Sequence, residues 1–229
     1  MKEVIVKDNA LINASYNLDL IEQRLVLLAI IEARETGKGI NTNNALTVHA
    51  SSYINHFNVE KHTAYAVLKQ ASESLFERRF SYQFTNAKGN VEYVKSRWVS
   101  EIRYIESEAL IKLIFSPSVV PLITRLEKHF TSYELKQVNQ LSSRYAIRLY
   151  EILISWRSTG KTPIFELESF RTQLGIEKNE YKRMELFKRR VLDIAISQIN
   201  DFTDIFIQYE QHKNGKTIIG FSFSFRQSK

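Results

Sequence analysis

Helices and strand-like runs recur in one order in both halves of this sequence, and that order predicts an α+β protein of two tandem winged-helix domains related by an internal pseudo-repeat. Three observations carry the expectation. In each half a short helix and a longer one precede two strand-like runs around a hairpin turn, the layout in which the second helix enters a major groove and the hairpin wing lies on the backbone. Residues echo between the halves: Ser52-Tyr53 against Ser169-Phe170 and Phe57 to Lys61 against Leu174 to Lys178 at an offset of 117, then Leu68-Lys69 against Phe187-Lys188 at an offset of 119. Finally, 14 Phe and 11 Tyr can fill a core, while only 7 Gly and 3 Pro in 229 residues argue against a loop-rich sandwich or a Gly-cradled nucleotide fold. A chain of this length divides naturally into two domains of about 100 residues. The expected division is 1–130 and 131–229.

Asp19 is a candidate N-cap for a helix to about Arg34, with Leu20, Leu27, Leu28 and Ile31 at helical spacing. Gly37 to Ala45, rich in Gly and Asn, reads as a loop. A short helix fits Ser51 to Phe57 and a longer one His62 to Phe76, with Ala66, Leu68, Ala71, Leu75 and Phe76 available for burial. Strands are expected at Phe80 to Phe84 and Val91 to Val99 around Asn86 to Asn90, the first hairpin. Leu110 to Phe115 is a further strand, Ser116-Pro117 opens a helix as cap then proline, and Ser142-Ser143 begins a helix to about Trp156. In the second half a helix over Leu167 to Leu174 ends at Gly175, and a longer one runs from about Met184 to Asn200. Strands Ile205 to Tyr209 and Ile218 to Phe225 then flank Lys213-Asn-Gly-Lys216, where Asn-Gly is a strong hairpin signal.

Net charge is +7 with a pI near 9.4, which favours a polyanionic partner. Residues 1–130 carry 16 Lys and Arg against 14 Asp and Glu, and 131–229 carry 16 against 11, so the excess sits mainly in the second half. Within it, Lys178, Lys182, Arg183, Lys188, Arg189 and Arg190 meet only two acids, Glu180 and Glu185. Advancing about 100° per residue from Phe187, a core stripe gathers Met184, Val191, Ile194, Ala195 and Gln198. Arg189 and Lys182 fall nearly opposite it, with Lys188 and Arg190 on the flanks. An outward arginine can fork onto guanine while flanking cations suit phosphates, and Lys213 and Lys216 would place two more cations on the wing. A solvated charged face is the plain alternative, but few intrahelical acids are present to pair with. The equivalent first-half helix offers Lys61, His62, Lys69, Arg78 and Arg79, interrupted by Glu73 and Glu77, and suits a weaker DNA reader or an assembly surface.

Enzyme constellations fail one by one, and neither a catalytic residue nor a cofactor is expected. There is no cysteine, which excludes disulfides, thiolate metal sites and a cysteine nucleophile. Gly160-Lys161-Thr162 imitates the end of a phosphate loop, but Ser155 stands where that motif needs Gly and Pro163 follows. His49, His56, His62, His129 and His212 include no pair at metal-ligand spacing. Glu166 and Glu168 read as a strand-to-helix junction and cap. The N-terminus has no signal-peptide core, and the most apolar run, Leu25 to Ile31, falls far short of the roughly 20 residues that span a bilayer. A cytoplasmic chain with no membrane partner is expected.

Several segments together resemble a known family. They are Asn9 to Ala14 leading to Glu22 to Ala29, Ala64-Tyr65 with Leu68-Lys69, Leu75 to Arg78, Arg97 to Val99, Tyr145 to Glu151, Tyr181 to Met184, Phe187 to Arg190 and Phe221 to Arg226. In order and joint spacing the chain resembles the plasmid replication initiators that bind repeated origin sequences (iterons), the Rep_3 or RepB-type family. The resemblance implies that the C-terminal domain dominates recognition of double-stranded origin repeats, with Arg183 and Arg189 as base readers. It also implies a homodimer in equilibrium with a monomer, the monomer activating replication and the dimer commonly repressing its own promoter, with host replication proteins as further partners. The helix from Ser143 to Trp156 would hold the two domains together. Other readings are a tandem winged-helix transcription regulator, a rolling-circle nickase, which lacks its His pair, and a basic structural or RNA-binding protein, which lacks an aromatic sheet face.

Overall fold

A computed structural model describes residues 3–38, 44–124 and 129–228. The chain opens with β1 (Val4–Asp8), α1 (Asn9–Ile12) and β2 (Ser15–Tyr16) before α2 (Leu20–Thr36). Asp19 and Glu22 close a reciprocal capping box at the start of α2, each side chain accepting the other's backbone N–H at 2.8 and 2.7 Å. The middle of the loop expected over Gly37 to Ala45 lies outside the described residues. There follow β3 (Leu46–His49), α3 (Ala50–Phe57), α4 (Lys61–Glu77), β4 (Arg79–Thr85), β5 (Val91–Arg97), β6 (Val99–Ile105), β7 (Leu110–Phe115), α5 (Val120–Thr124) and β8 (Phe130–Glu134). The second half continues with α6 (Arg144–Ile154), β9 (Phe165–Glu166) and α7 (Leu167–Gln173). After a turn, α8 (Met184–Phe187), a π-helical turn (Lys188–Leu192) and α9 (Asp193–Phe202) run on as one helix, and β10 (Ile205–Asn214) and β11 (Thr217–Gln227) close the chain.

Topology makes the pseudo-repeat explicit. Helix, short strand, two helices and two strands appear as α2-β3-α3-α4-β6-β7 and again as α6-β9-α7-α8/α9-β10-β11. In each repeat the three-stranded sheet places the first strand beside the last, in the orders β3-β7-β6 and β10-β11-β9. The echoed residues hold the same places: Tyr53 and Phe170 are buried in α3 and α7, Leu68 and Phe187 in the long second helices. In the second domain Phe165, Phe170, Phe187, Phe221 and Phe223 pack ring against ring. Gly220 lets β11 approach β9, since a Cβ there would overlap the Phe165 carbonyl oxygen.

Several expectations are corrected by this arrangement. The hairpin at 79–97 is not the first wing: β4 and β5 pair with β2 in a separate sheet, and the wing is β6–β7, turning at Glu106–Glu108. The strand expected over Val91 to Val99 breaks at Trp98, whose indole is fully buried while the backbone crosses from one sheet to the other. Ser116-Pro117 leads into a turn, and α5 starts only at Val120. On α4, Ala64, Leu68, Ala71 and Leu75 form the buried stripe, whereas Ala66 is exposed and Phe76 lies half-open beneath the Arg97 guanidinium. The division expected between residues 130 and 131 falls inside β8, which pairs antiparallel with β1 from Val4–Glu134 to Asp8–Phe130.

Helix α6 packs on β8 of the first domain and α9 of the second, and is buried from Tyr145 to Ile154. A helix buried on all sides is usually apolar all round, yet this one carries Arg148 and Glu151, 1% and 0% exposed. Their partners come from the other end of the chain. Lys7 Nζ and the Tyr133 hydroxyl donate to Glu151 Oε1 at 2.6 and 2.5 Å. Arg148 donates to the carbonyls of Ile12, Ala14 and Gln173 at 2.9, 3.1 and 2.7 Å and to the Tyr16 hydroxyl, and contacts Glu151 Oε2 at 3.2 Å. Burial holds the Lys7 amine below its ordinary 10.5, with Glu151 offsetting only part. Burial pushes the Glu151 carboxyl up, but the charges of Lys7 and Arg148 outweigh it and hold the group below 4.5. Both partners therefore shift downward, because desolvation governs the amine and two cations govern the carboxylate.

The same helix pins the domains together at the surface. Gly175, at φ +75°, lies against Tyr16 so closely that a Cβ would overlap the Tyr16 carbonyl oxygen. Asn17 donates to Glu177 at 2.9 Å and accepts from Arg144 at 2.6 Å, and Arg144 also reaches Glu180 at 3.2 Å.

Candidate nucleic-acid interface

In the second domain the long second helix begins after a tight turn from Gly175 to Arg183. Arg171, itself buried, shapes this turn by donating to the carbonyls of Glu180 and Tyr181 at 2.6 and 3.2 Å, and Tyr181 takes a left-handed φ of 44°. Lys178 and Lys182 project from the turn into solvent, Arg183 stands at the N-cap, and Arg189 and Arg190 project from the following helix. Arg183 pairs with exposed Glu185 at 2.8 Å, a contact of the kind that contributes little and exchanges readily for another anion. Lys188 is half-buried, reaches Gln211 at 3.2 Å and lies 5.8 Å from the Tyr209 ring centre, so it ties the helix to the sheet. Lys213 and Lys216 flank the Asn214-Gly215 turn at the wing tip, both exposed.

The helix phase departs from the wheel in one respect. The core is made by Phe187, Val191, Leu192, Ala195 and Ile199, while Ile194, expected inside, is 38% exposed. The cause is the π-helical turn, whose i→i+5 ladder takes up about one extra residue per turn and rotates everything after it. Arg189 stays outward under either phase, because it lies within the turn itself and opposite Phe187.

The first domain presents a different surface. Lys61 and His62 are exposed at the start of α4, and Lys69 is exposed with Glu106 at 3.8 Å. Arg78 is held from behind: its Nε donates to both oxygens of Glu22, a fully buried carboxylate, at 2.8 and 2.9 Å. The wing tip carries Glu106 and Glu108, where the second wing carries two lysines. Sequence reasoning missed this contrast because the wing was placed on the wrong hairpin; the acids at 106 and 108 were the available signal. Glu166 and Glu168 do form the junction, Glu166 accepting the N–H groups of Glu168 and Ser169 at 3.1 and 2.8 Å. Among the described residues no cluster of three metal-ligating side chains occurs, and no helix is long and apolar enough to cross a membrane.

Residues 4–154 match the family described as Initiator Replication protein, WH1, and residues 166–225 the one described as Initiator Rep protein, WH2. The chain belongs to the initiator replication protein family. An uncharacterized 27.6 kDa protein of Escherichia coli is 25% identical over 225 residues, covering 94% of this chain and 92% of the relative. A replication initiation protein of the same organism is 27% identical over 192 residues, 80% of this chain and 59% of its own length. In fold, the chain is similar to the Pi initiator protein crystallised in complex with iteron DNA, with a TM-score of 0.73 at 20% identity over 100% of this chain and 98% of that one. These initiator domains are thus the two winged helices described above, and the basic turn, the helix that follows it and the lysine-tipped wing lie in the second.

Proposed function

We propose that this chain initiates plasmid replication in the cytoplasm by binding directly repeated origin sites in duplex DNA, and that it carries no catalytic centre of its own. One observation carries the reading: in a chain of the initiator family, Lys178, Lys182, Arg183, Arg189, Arg190, Lys213 and Lys216 are exposed along the turn, helix and wing of a single winged helix. The second domain does most of the reading. The first supplies assembly contacts and a secondary DNA contact through Lys61, His62 and Lys69, while Arg78 serves its own domain. The working division lies after α6, supported by family matches that end at 154 and resume at 166. Equilibrium binding to repeat DNA across a salt series tests the reading. Each neutralised phosphate should steepen the log–log slope by about −0.9, with repeats preferred over random duplex throughout. Binding that ignores salt, or favours neither DNA, would refute it.

Self-association is assigned to the β4–β5 hairpin. Its register puts Phe80, Tyr82 and Phe84 on one face, stacked in series, and Val91 and Tyr93 on the other, the tyrosine 80% exposed. Phe84, 40% exposed at the outer end of the stack, is the member of the stack most open to a second copy. Sedimentation over a concentration series should show Phe84→Asp shifted toward monomer with its circular dichroism intact. Association equal to wild type would move the interface elsewhere.

A further inference from the structure

We propose that the first domain acts on DNA recognition from behind: the Tyr16–Asn17 segment, through Arg144, positions the turn from Gly175 to Arg183 and so sets where Lys182 and Arg183 stand. The inference rests on the second domain being the DNA reader, and adds that its reading turn is not autonomous. Nothing inside the second domain's own sheet holds this turn. Arg171 of its own domain holds the carbonyls of Glu180 and Tyr181, and a chain of side-chain contacts ties the rest of the turn to the first domain. The Glu180 carboxylate accepts the Glu177 N–H through Oε2 at 2.9 Å and Arg144 through Oε1 at 3.2 Å. Arg144 in turn donates to Asn17 Oδ1 at 2.6 Å, and Asn17 Nδ2 returns to Glu177 Oε1 at 2.9 Å. The circuit closes on both ends of the turn: Glu177 and Glu180 are each tied to the first domain, and neither tie passes through the reading helix.

Two further contacts make the arrangement directional. Gly175 sits against the Tyr16 carbonyl with no room for a side chain, so the turn's first residue cannot slide away from the seam without opening it. Tyr181, the left-handed residue just before Lys182, packs edge-on against Tyr145, whose hydroxyl accepts from Arg144 at 2.7 Å. A displacement of Asn17 or Arg144 is therefore passed to Tyr181 and on to the two basic residues that follow it. Asn17 and Arg144 are positioning residues; they lie behind the turn and touch no DNA in the reading above.

Asn17→Ala and Arg144→Met test the proposal in the full chain. Both sites are part-exposed, so the partners left behind can be hydrated and the fold persists. Two readings are taken beside the thermal midpoint: the ratio of binding to repeat and to random duplex, and hydrogen exchange at the Glu177 and Glu180 amides. Each variant should lose about ten-fold in the ratio, the scale of one misplaced base contact, with an unchanged salt slope. The two turn amides should exchange about ten-fold faster while those from Val191 to Ile199 stay protected. Arg144→Lys, which can reach one partner but not fork onto two, should fall between. Wild-type ratios with wild-type turn exchange would overturn the proposal, as would a lower midpoint with an unchanged ratio. If the wild-type chain itself shows no preference for repeats, the DNA-reading assignment fails, and exchange alone then decides whether the seam holds the turn.

Discussion

Glu151→Ala should destabilise the protein by about 3–5 kcal/mol, because it removes the single anion from a buried set that holds two cations. In a chain of this size that corresponds to a melting point lower by roughly 10 °C. Lys7 is 3% and Arg148 1% exposed, so neither can recover its hydration without opening the seam between β1, β2 and α6. Arg148 keeps its four carbonyl and hydroxyl partners and cannot shed its proton. Lys7 has no such recourse and should lose its proton instead, which caps the cost near the free energy of neutralising a lysine at pH 7, about 5 kcal/mol. That ceiling gives the pH dependence its sign. With Glu151 gone the folded-state Lys7 falls further below 10.5; its penalty is absent above the unfolded value and grows as pH falls. The deficit of the variant relative to wild type should thus narrow from pH 7 to pH 9.5 in urea melts. In acid the reverse limb belongs to wild type, whose Glu151 lies below 4.5, so that its contribution is present above that value and lost beneath it. The variant should lack this slope. A midpoint near that of wild type at pH 7 would mean that the set is hydrated and contributes nothing net.

Much of the fold was legible because its signals are local. The Asp19 cap, the Gly175 stop, the Asn214-Gly215 turn and the echo at an offset of 117 each depend on a few neighbouring residues, and each lies where the sequence put it. What escaped is non-local. Two strong hairpins compete for the role of first wing, and only the pairing of β3 with β7 decides between them, at a separation no local pattern records. The charged set around Glu151 joins Lys7, Tyr16 and Tyr133 across the length of the first domain, so no window of sequence contains it. Arg78 looked free beside Arg79 because its partner Glu22 lies in another helix. The π-helical turn is hidden for a different reason: wheel geometry assumes one period, and a single extra residue in one turn moved Ile194 from core to surface without changing the residues' order.

Arg189→Ala should cost about 1–3 kcal/mol in binding to the origin repeat and relax discrimination at one base pair. Three features single out this side chain. It projects from the reading helix within the π-helical turn, its acidic neighbours Glu185 and Asp193, four residues away on either side, form no ion pair with it, and no hydrogen bond or ring contact engages it among the described residues. Its neighbours differ in ways that predict different outcomes. Lys188 is occupied by Gln211 and Tyr209, so Lys188→Ala should act through the helix–sheet junction and lower stability more than specificity. Arg183 must first leave Glu185, so its alanine variant should show a smaller loss than Arg189→Ala at low salt, and the gap should narrow as salt screens that pair. Lys213→Ala at the wing tip should weaken repeat and random DNA alike and flatten the salt slope by about one phosphate. Arg189→Ala should do the opposite, lowering affinity for the repeat while leaving random-duplex binding and the slope nearly as they were. Binding titrations of the four variants against the repeat, a repeat changed at each guanine in turn, and random duplex separate these cases. If Arg189→Ala lowered binding to all three DNAs by one common factor, Arg189 would be a phosphate contact, and the base reader would have to be sought in the turn at Lys182 and Arg183.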